Sequence, residues 1–274
     1  MSLSVQQRTN LDGVPKPGEL IEITGAHALE ASDRAIVNLL YRHAHDSGRI
    51  GEEDAEWEIP LARLRPSGHE SNDRLRDSLD RLMRIVVNVP YRDPSSGESR
   101  VLQTHLFDFF DLPADERRAG AVVRFGLPKK LRPILVQSRR WGRIKAEVVC
   151  AMTSKYAIAL YELVRLRAGM DRCVEVFPIE RFRELLGVPP GKLLRGPDFE
   201  RFCIRPAVLE VNGLSDIGVQ VEVRRRGPRA PIEAVSIAWW RKEDDAYRDV
   251  LEEQRQPKLG RMARLRAAVE PKAG

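Results

Sequence analysis

Three segments decide the fold: Ser154-Lys155-Tyr156-Ala157-Ile158-Ala159-Leu160-Tyr161-Glu162-Leu163, then Ile179-Glu180-Arg181-Phe182-Arg183-Glu184-Leu185-Leu186-Gly187, then Asp198-Phe199-Glu200-Arg201-Phe202-Cys203-Ile204-Arg205-Pro206-Ala207-Val208-Leu209-Glu210-Val211-Asn212. Each carries apolar residues at helical spacing, and a short strand, Cys173–Phe177, separates the first two. A valine-alternating hairpin follows, with the tip Arg224-Arg225-Arg226-Gly227-Pro228-Arg229. Three helices and a basic hairpin, in that order, describe a winged helix. Such a module needs one helix that fits the major groove and cations for the phosphates, with no cofactor, metal or catalytic group.

The charge distribution points the same way. The chain has 274 residues, room for one large domain or two ordinary ones, and a net charge of +6. Seven cations and no acid lie between Lys129 and Lys145, six cations and one acid between Arg255 and Lys272. Cations gathered this way form a footprint for a polyanion rather than a general solvation device. Aromatic residues make up only 6% of the chain, which argues against a stacking platform for single strands. Three widely spaced cysteines signal neither a disulfide framework nor a zinc site. There is no long apolar run and no leader pattern, so a cytoplasmic protein without membrane contact is expected.

Working outward, the first half repeats the element order. A helix Arg34–His45 capped by Ser32, a strand at Trp57-Glu58-Ile59, a short helix stopped by Pro66, a helix from Ser71 to Arg84 and a hairpin around Asp93-Pro94-Ser95-Ser96-Gly97 are expected. The expected fold is therefore α+β, two tandem winged helices in a pseudo-symmetric arrangement. The divisions read from the sequence are a flexible arm at 1–24, a first winged helix at 25–127, a basic linker at 128–150, a second winged helix at 151–242, and a charged helix with a disordered basic tail at 243–274.

In the segment Asp198–Asn212, Phe199, Phe202, Pro206 and Leu209 read as the inward face, with a kink expected at Pro206. Arg201, Arg205 and Asn212 then sample base edges, the arginines suiting guanine and the asparagine adenine. The same helix also reads as a plain solvated amphipathic helix; the cationic tip beside it favours the groove. Lys192 and Arg195 are further DNA-binding candidates, and Arg224, Arg225, Arg226, Arg229 and Lys155 are expected on phosphates. So are Arg139, Arg140, Arg143 and Lys145, as a cationic linker crossing the backbone. In the first half, Asn72, Arg74, Arg76 and Arg81 are the corresponding candidates, although i, i+4 pairs such as Arg76–Asp80 and Asp77–Arg81 equally describe a self-paired face. His43-Ala44-His45 ends a helix, where residues two apart diverge, so it makes a poor metal site. No phosphate-binding GxxxxGK[ST] motif occurs.

The second half resembles the initiator Rep proteins of iteron plasmids, the Rep_3-type replication initiators. The resemblance rests on the Ser154–Leu163 helix, on Phe182-Arg183-Glu184-Leu185-Leu186-Gly187, on Asp198–Arg201 and on Ile204–Asn212, followed by the Asp216 turn and the basic hairpin. It departs from the family at Ala159, where arginine is usual, and at Glu200, where lysine is usual. The resemblance implies a replication initiator that binds repeated duplex sites of roughly 20 bp, two recognition helices in successive major grooves. It further implies opening of adjacent AT-rich DNA, recruitment of the host initiator and replicative helicase, a monomer–dimer equilibrium and repression of its own gene. A dedicated transcriptional repressor of the same fold is the alternative, and an origin-nicking enzyme of the His-x-His kind a distant third; the reading is of a protein that is not an enzyme.

Overall fold

The computed structural model describes residues 12–66, 71–116, 118, 120–170, 172–227 and 230–269. The first lobe opens with strand β1 (Val14–Pro17) and the one-turn helix α1 (Gly18–Ile21). Helix α2 (Ala31–Asp46) follows, then β2 (Glu56–Pro60), a 3₁₀ turn at Leu61–Leu64, and α3 (Asn72–Arg84). The wing is β3 (Val87–Arg92) and β4 (Ser99–Thr104), paired antiparallel. Two further strands, β5 (Phe109–Asp111) and β6 (Val122–Gly126), join β2 in a sheet of order β2-β6-β5. The connecting region holds α4 (Leu131–Val136), β7 (Trp141–Ile144) and α5 (Ala146–Ala151).

The second lobe comprises α6 (Lys155–Arg165), β8 (Val174–Pro178) and α7 (Ile179–Leu186). A long composite helix follows: α8 (Gly196–Phe199), a π-helical turn (Glu200–Ile204) and α9 (Arg205–Leu214). Strands β9 (Ile217–Arg224) and β10 (Ala234–Arg241) complete the sheet β8-β10-β9 and form its wing. Helices α10 (Asp244–Arg255) and α11 (Arg261–Val269) close the described chain. Both lobes thus run helix, strand, short helix, long helix, wing.

Each lobe has its own core. Leu40, Trp57, Leu64, Leu79, Leu82, Val87 and Phe125 are buried in the first, and Ile158, Tyr161, Phe182, Phe199, Val211 and Val235 in the second. Stacking of Trp57 on Phe125 at 5.6 Å ties β2 to β6. An edge-on contact of Phe182 with Phe199, ring centres 6.3 Å apart, sets α7 against the composite helix. Ser71 and Ser154 cap α3 and α6, accepting from the Arg74 and Ala157 amides.

Several expectations need correction. Residues 12–24 are not a flexible arm: β1 pairs with β7, and Leu20, Ile21 and Ile23 are buried. The part of the expected arm at 1–11 lies outside the described residues. Glu30, not Ser32, caps α2 through a reciprocal box with Asp33. The basic linker at 128–150 is no linker, because Leu131 and Leu135 sit in the first core and Ile144, Val148 and Val149 in the second. The tail is helical through Val269, with Leu265 packed over Gly213; residues 270–274 lie outside the described residues.

The largest local departure is in the composite helix. Pro206 has no amide hydrogen and crowds the carbonyl four residues back, so the ladder widens to a π turn just before it. The inserted residue shifts the helical phase. Phe199, Cys203, Ala207, Val211 and Leu214 face inward, whereas Phe202, expected inside, is 52% exposed.

The lobes are locked together through buried polar groups. Lys16 on β1 donates to Glu162 on α6 at 2.7 Å, and the Asn38 amide on α2 donates to the same carboxylate oxygen at 2.7 Å. Arg34 is buried beside them on α2. Glu22 takes guanidinium contacts from both Arg140 and Arg167. Helix α2 packs directly against α5 and α6.

Candidate nucleic-acid interface

The second lobe presents the clearest cationic face. Arg201 and Arg205 are both exposed on the composite helix, and Lys192 and Arg195 are exposed in the turn that precedes it. That turn is tightly built. Arg183 donates to the Lys192 and Leu193 carbonyls and lies 4.8 Å over the Phe199 ring, while Leu193 adopts a left-handed φ of 52°. The turn is therefore held by side-chain bonds, and its cations project from a fixed backbone.

The wing approaches this helix directly. Arg225 bonds Glu200 and packs against Gly196, where a Cβ would come within 2.9 Å of the guanidinium. Glycine at 196 lets the wing tip touch the helix start. Arg225 is thus a clamp, and its charge is answered by the Glu200 that replaces the family's usual lysine. Arg224 donates to Ser236 at 3.3 Å yet remains exposed; Arg226 pairs with Glu233 at 2.6 Å with its side chain 84% exposed. Arg229 lies outside the described residues.

Two residues on this face escaped the sequence reading. Phe202 is exposed with Arg201 stacked 5.0 Å over its ring, and Leu194 is 75% exposed. Apolar groups beside cations suit thymine methyls and sugar faces. Regular 3.6-residue spacing placed Phe202 inside; only the π turn brings it out.

Asn212 is not available to bases. Its amide donates to the Val219 carbonyl at 3.0 Å and its oxygen accepts from the Val219 amide at 2.7 Å. It mimics a strand edge and pins β9 to α9. Lys155 likewise turns back to the first lobe, donating to the His27 carbonyl at 2.6 Å; burial and the nearby Arg34 hold its pKa below the usual lysine range. Ala159, where the family usually has arginine, is buried in the second core.

The cluster between Lys129 and Lys145 does not form a phosphate track. Lys129 pairs with Asp54 at 3.0 Å, and Arg132 is buried on the carbonyls of Leu127 and Ala55. Arg140 is tied to Glu22, and Arg143 reaches the Gly13 carbonyl. Lys145 is buried against Asp216 at 3.1 Å and under the Tyr247 ring. Arg139 is exposed. The run of cations in sequence is thus divided: Arg132 and Lys145 serve the interiors, Arg140 a lobe junction, and Lys129, Lys130 and Arg139 remain at the surface.

In the first lobe, α3 is the matching helix and two of its four cations, Arg76 and Arg81, are committed to carboxylates. Arg81 forms a double bond pair with the fully buried Asp33, at 2.8 and 2.9 Å. Arg76 pairs with Glu116 rather than Asp80, and Asn72 bonds Arg65 and the Glu116 carbonyl. Arg74 and Arg84 stay exposed, Arg84 within 4.0 Å of Asp80. The first wing mixes Arg92 and Arg100 with Asp93 and Glu98, so it carries no net cationic tip. Asp93 instead builds the turn, accepting from the Ser95 hydroxyl and the Ser95 and Ser96 amides, which hold its pKa at about 2.

Among the described residues, no group of three or more His, Cys, Asp or Glu side chains is placed to hold a metal ion, and no helix is long and apolar enough to cross a membrane. A search of curated protein sequences finds no match. Two family models do match. The first, described as "Initiator Replication protein, WH1", covers residues 14–165, and the second, "Initiator Rep protein, WH2", covers residues 178–239. The first model thus takes in α6, whose side chains pack in the second core. Two winged lobes in tandem, each with a helix and wing of the kind that engages duplex DNA, and these matches lead to one conclusion: the chain belongs to the initiator Rep family of plasmid replication initiators.

Proposed function

We propose that this initiator binds directly repeated duplex sites at a plasmid origin, with the second lobe supplying most of the affinity. The observation that carries this reading is the free face of Arg201, Arg205, Lys192 and Arg195 beside the exposed wing cations Arg224 and Arg226. Arg201 and Arg205 sample base edges, and the wing and turn cations meet phosphates. The first lobe, with Arg74 and Arg84 exposed, contributes orientation and a second groove contact. Because the lobes share buried polar bonds, they engage DNA as one body, over about two helical turns or roughly 20 bp.

On this reading the protein melts the adjacent AT-rich segment by binding and brings in the host initiator and helicase. It leaves both strands intact, and its dimeric form represses its own gene at an inverted repeat. Footprinting on the DNA upstream of its gene tests the reading. Direct repeats protected at spacings of about one or two turns support an initiator; a single protected palindrome would favour a repressor. Supplying the protein in trans to an origin fragment should maintain that fragment as a plasmid. Incubation with supercoiled DNA and a divalent metal should leave the DNA closed.

A further inference from the structure

A cavity of about 410 Å³ opens between the β1–β7 ribbon and the edge of the second lobe's sheet, away from the wing. Its volume falls in the range of about 300–1,000 Å³ that small-molecule sites occupy. Three of the chain's four tryptophans line it: Trp141 from β7, and Trp239 and Trp240 from β10. Trp240 packs against Gly218, where any Cβ would collide with the indole, and is 49% exposed. The fourth, Trp57, is in the first core.

The polar lining is equally specific. Arg143, Arg165 and Arg241 supply three guanidinium groups. Asp216 is the lone carboxylate lining the cavity, and Lys145 and Arg165 both take its Oδ2, at 3.1 and 3.2 Å. That leaves Asp216 Oδ1, Arg165 Nη2 and Trp239 Nε1 buried without a hydrogen-bond partner. Unpaired buried polar atoms each carry a substantial penalty, and three on the walls of one cavity are uncommon. None of these groups belongs to the DNA-facing helix or wing tip.

We propose that this cavity binds a nucleoside phosphate. A planar base stacks on the exposed indole of Trp240. Arg241 and Arg143 take the phosphate. Because the walls come from both lobes, an occupant fastens the ribbon to the wing sheet.

The test is titration of the full chain with GMP, AMP, CMP and UMP, followed by tryptophan fluorescence and by calorimetry. Saturable quenching with at least one nucleotide is expected. Trp240→Ala should weaken it about tenfold or more, the worth of one base–aromatic stack. Arg241→Ala, at the exposed rim, should weaken it as well, with circular dichroism unchanged in both. Arg205→Ala should bind the nucleotide like wild type, because that side chain lies on the DNA face. Four results overturn the proposal: no saturable signal with any nucleotide up to about 1 mM, equal binding of inorganic phosphate alone, binding only of oligonucleotides, or loss of binding in Arg205→Ala with retention in Trp240→Ala.

Discussion

Replacing Glu162 with alanine removes the carboxylate that Lys16 and Asn38 share at the lobe junction. Glu162 accepts from Lys16 and Asn38, both at 2.7 Å, with the Lys16 and Glu162 side chains only 5% and 4% exposed. Burial drives the pKa of Lys16 down and Glu162 pushes it back up; Arg34 is depressed by burial in the same way and is likewise supported by Glu162. Glu162→Ala therefore strands two cations together in a low-dielectric interior. Breaking a buried pair in this manner costs about 3–5 kcal/mol. Lys16→Met should cost clearly less, because Glu162 keeps Asn38 and faces Arg34. At about 2–4 °C per kcal/mol for a chain of this size, Glu162→Ala lowers the melting temperature by roughly 6 °C or more. Thermal and urea unfolding of both variants measure the asymmetry. A cost for Glu162→Ala below about 1 kcal/mol, or equal costs for the two variants, would show that the junction is held by apolar packing and refute the argument.

Arg201→Ala and Arg205→Ala should each lose about 1–3 kcal/mol on cognate DNA with unchanged stability; titration on cognate and scrambled duplexes reads the difference. Asn212→Ala should do the reverse, losing about 1–3 kcal/mol of folding stability by orphaning the Val219 amide and carbonyl. Arg226→Ala should reduce the slope of log affinity against log salt by about 1, measured between 50 and 200 mM salt; an unchanged slope places that side chain off the phosphates. Burial, opposed by Asp216 and Asp249, lowers Lys242 to about 8 in the folded chain against 10.5 when unfolded. The unfolded state then holds more protons between those values, so wild-type stability should rise from pH 8 toward pH 10 relative to Lys242→Met; parallel profiles would contradict the shift.

The element order was legible because it is written in periodicity and punctuation. Ser71 and Ser154 announced helices, and the Asp93–Gly97 turn announced a wing. The charge of the region Lys129–Lys145 was equally plain, but its placement was not. A guanidinium's stem is apolar, and a sequence does not say whether its head meets water, a carbonyl as at Arg132, or a carboxylate as at Lys145. Asn212 misled for a related reason: the amide that suits adenine also suits a strand edge, and Val219 is seven residues away. The exposure of Arg201 and Arg205 was legible because neither falls on the apolar face of the helix that Phe199 begins.

The widened turn at Glu200–Ile204 separates the helical piece beginning the composite helix from the one that follows Pro206. Each residue of an α-helix advances the azimuth by about 100°. Deleting one residue there would restore an uninterrupted spiral and swing everything upstream, the Lys192–Arg195 turn and Glu200 included, by that amount relative to Arg205 and to the Arg225 that bonds Glu200. The supernumerary residue therefore acts as a vernier between the two halves of the composite helix, and on the proposed reading between two halves of the surface that meets DNA. On the proposed reading, a variant lacking that residue would present the same side chains in a different register, so a single-residue deletion alters target choice as a substitution does.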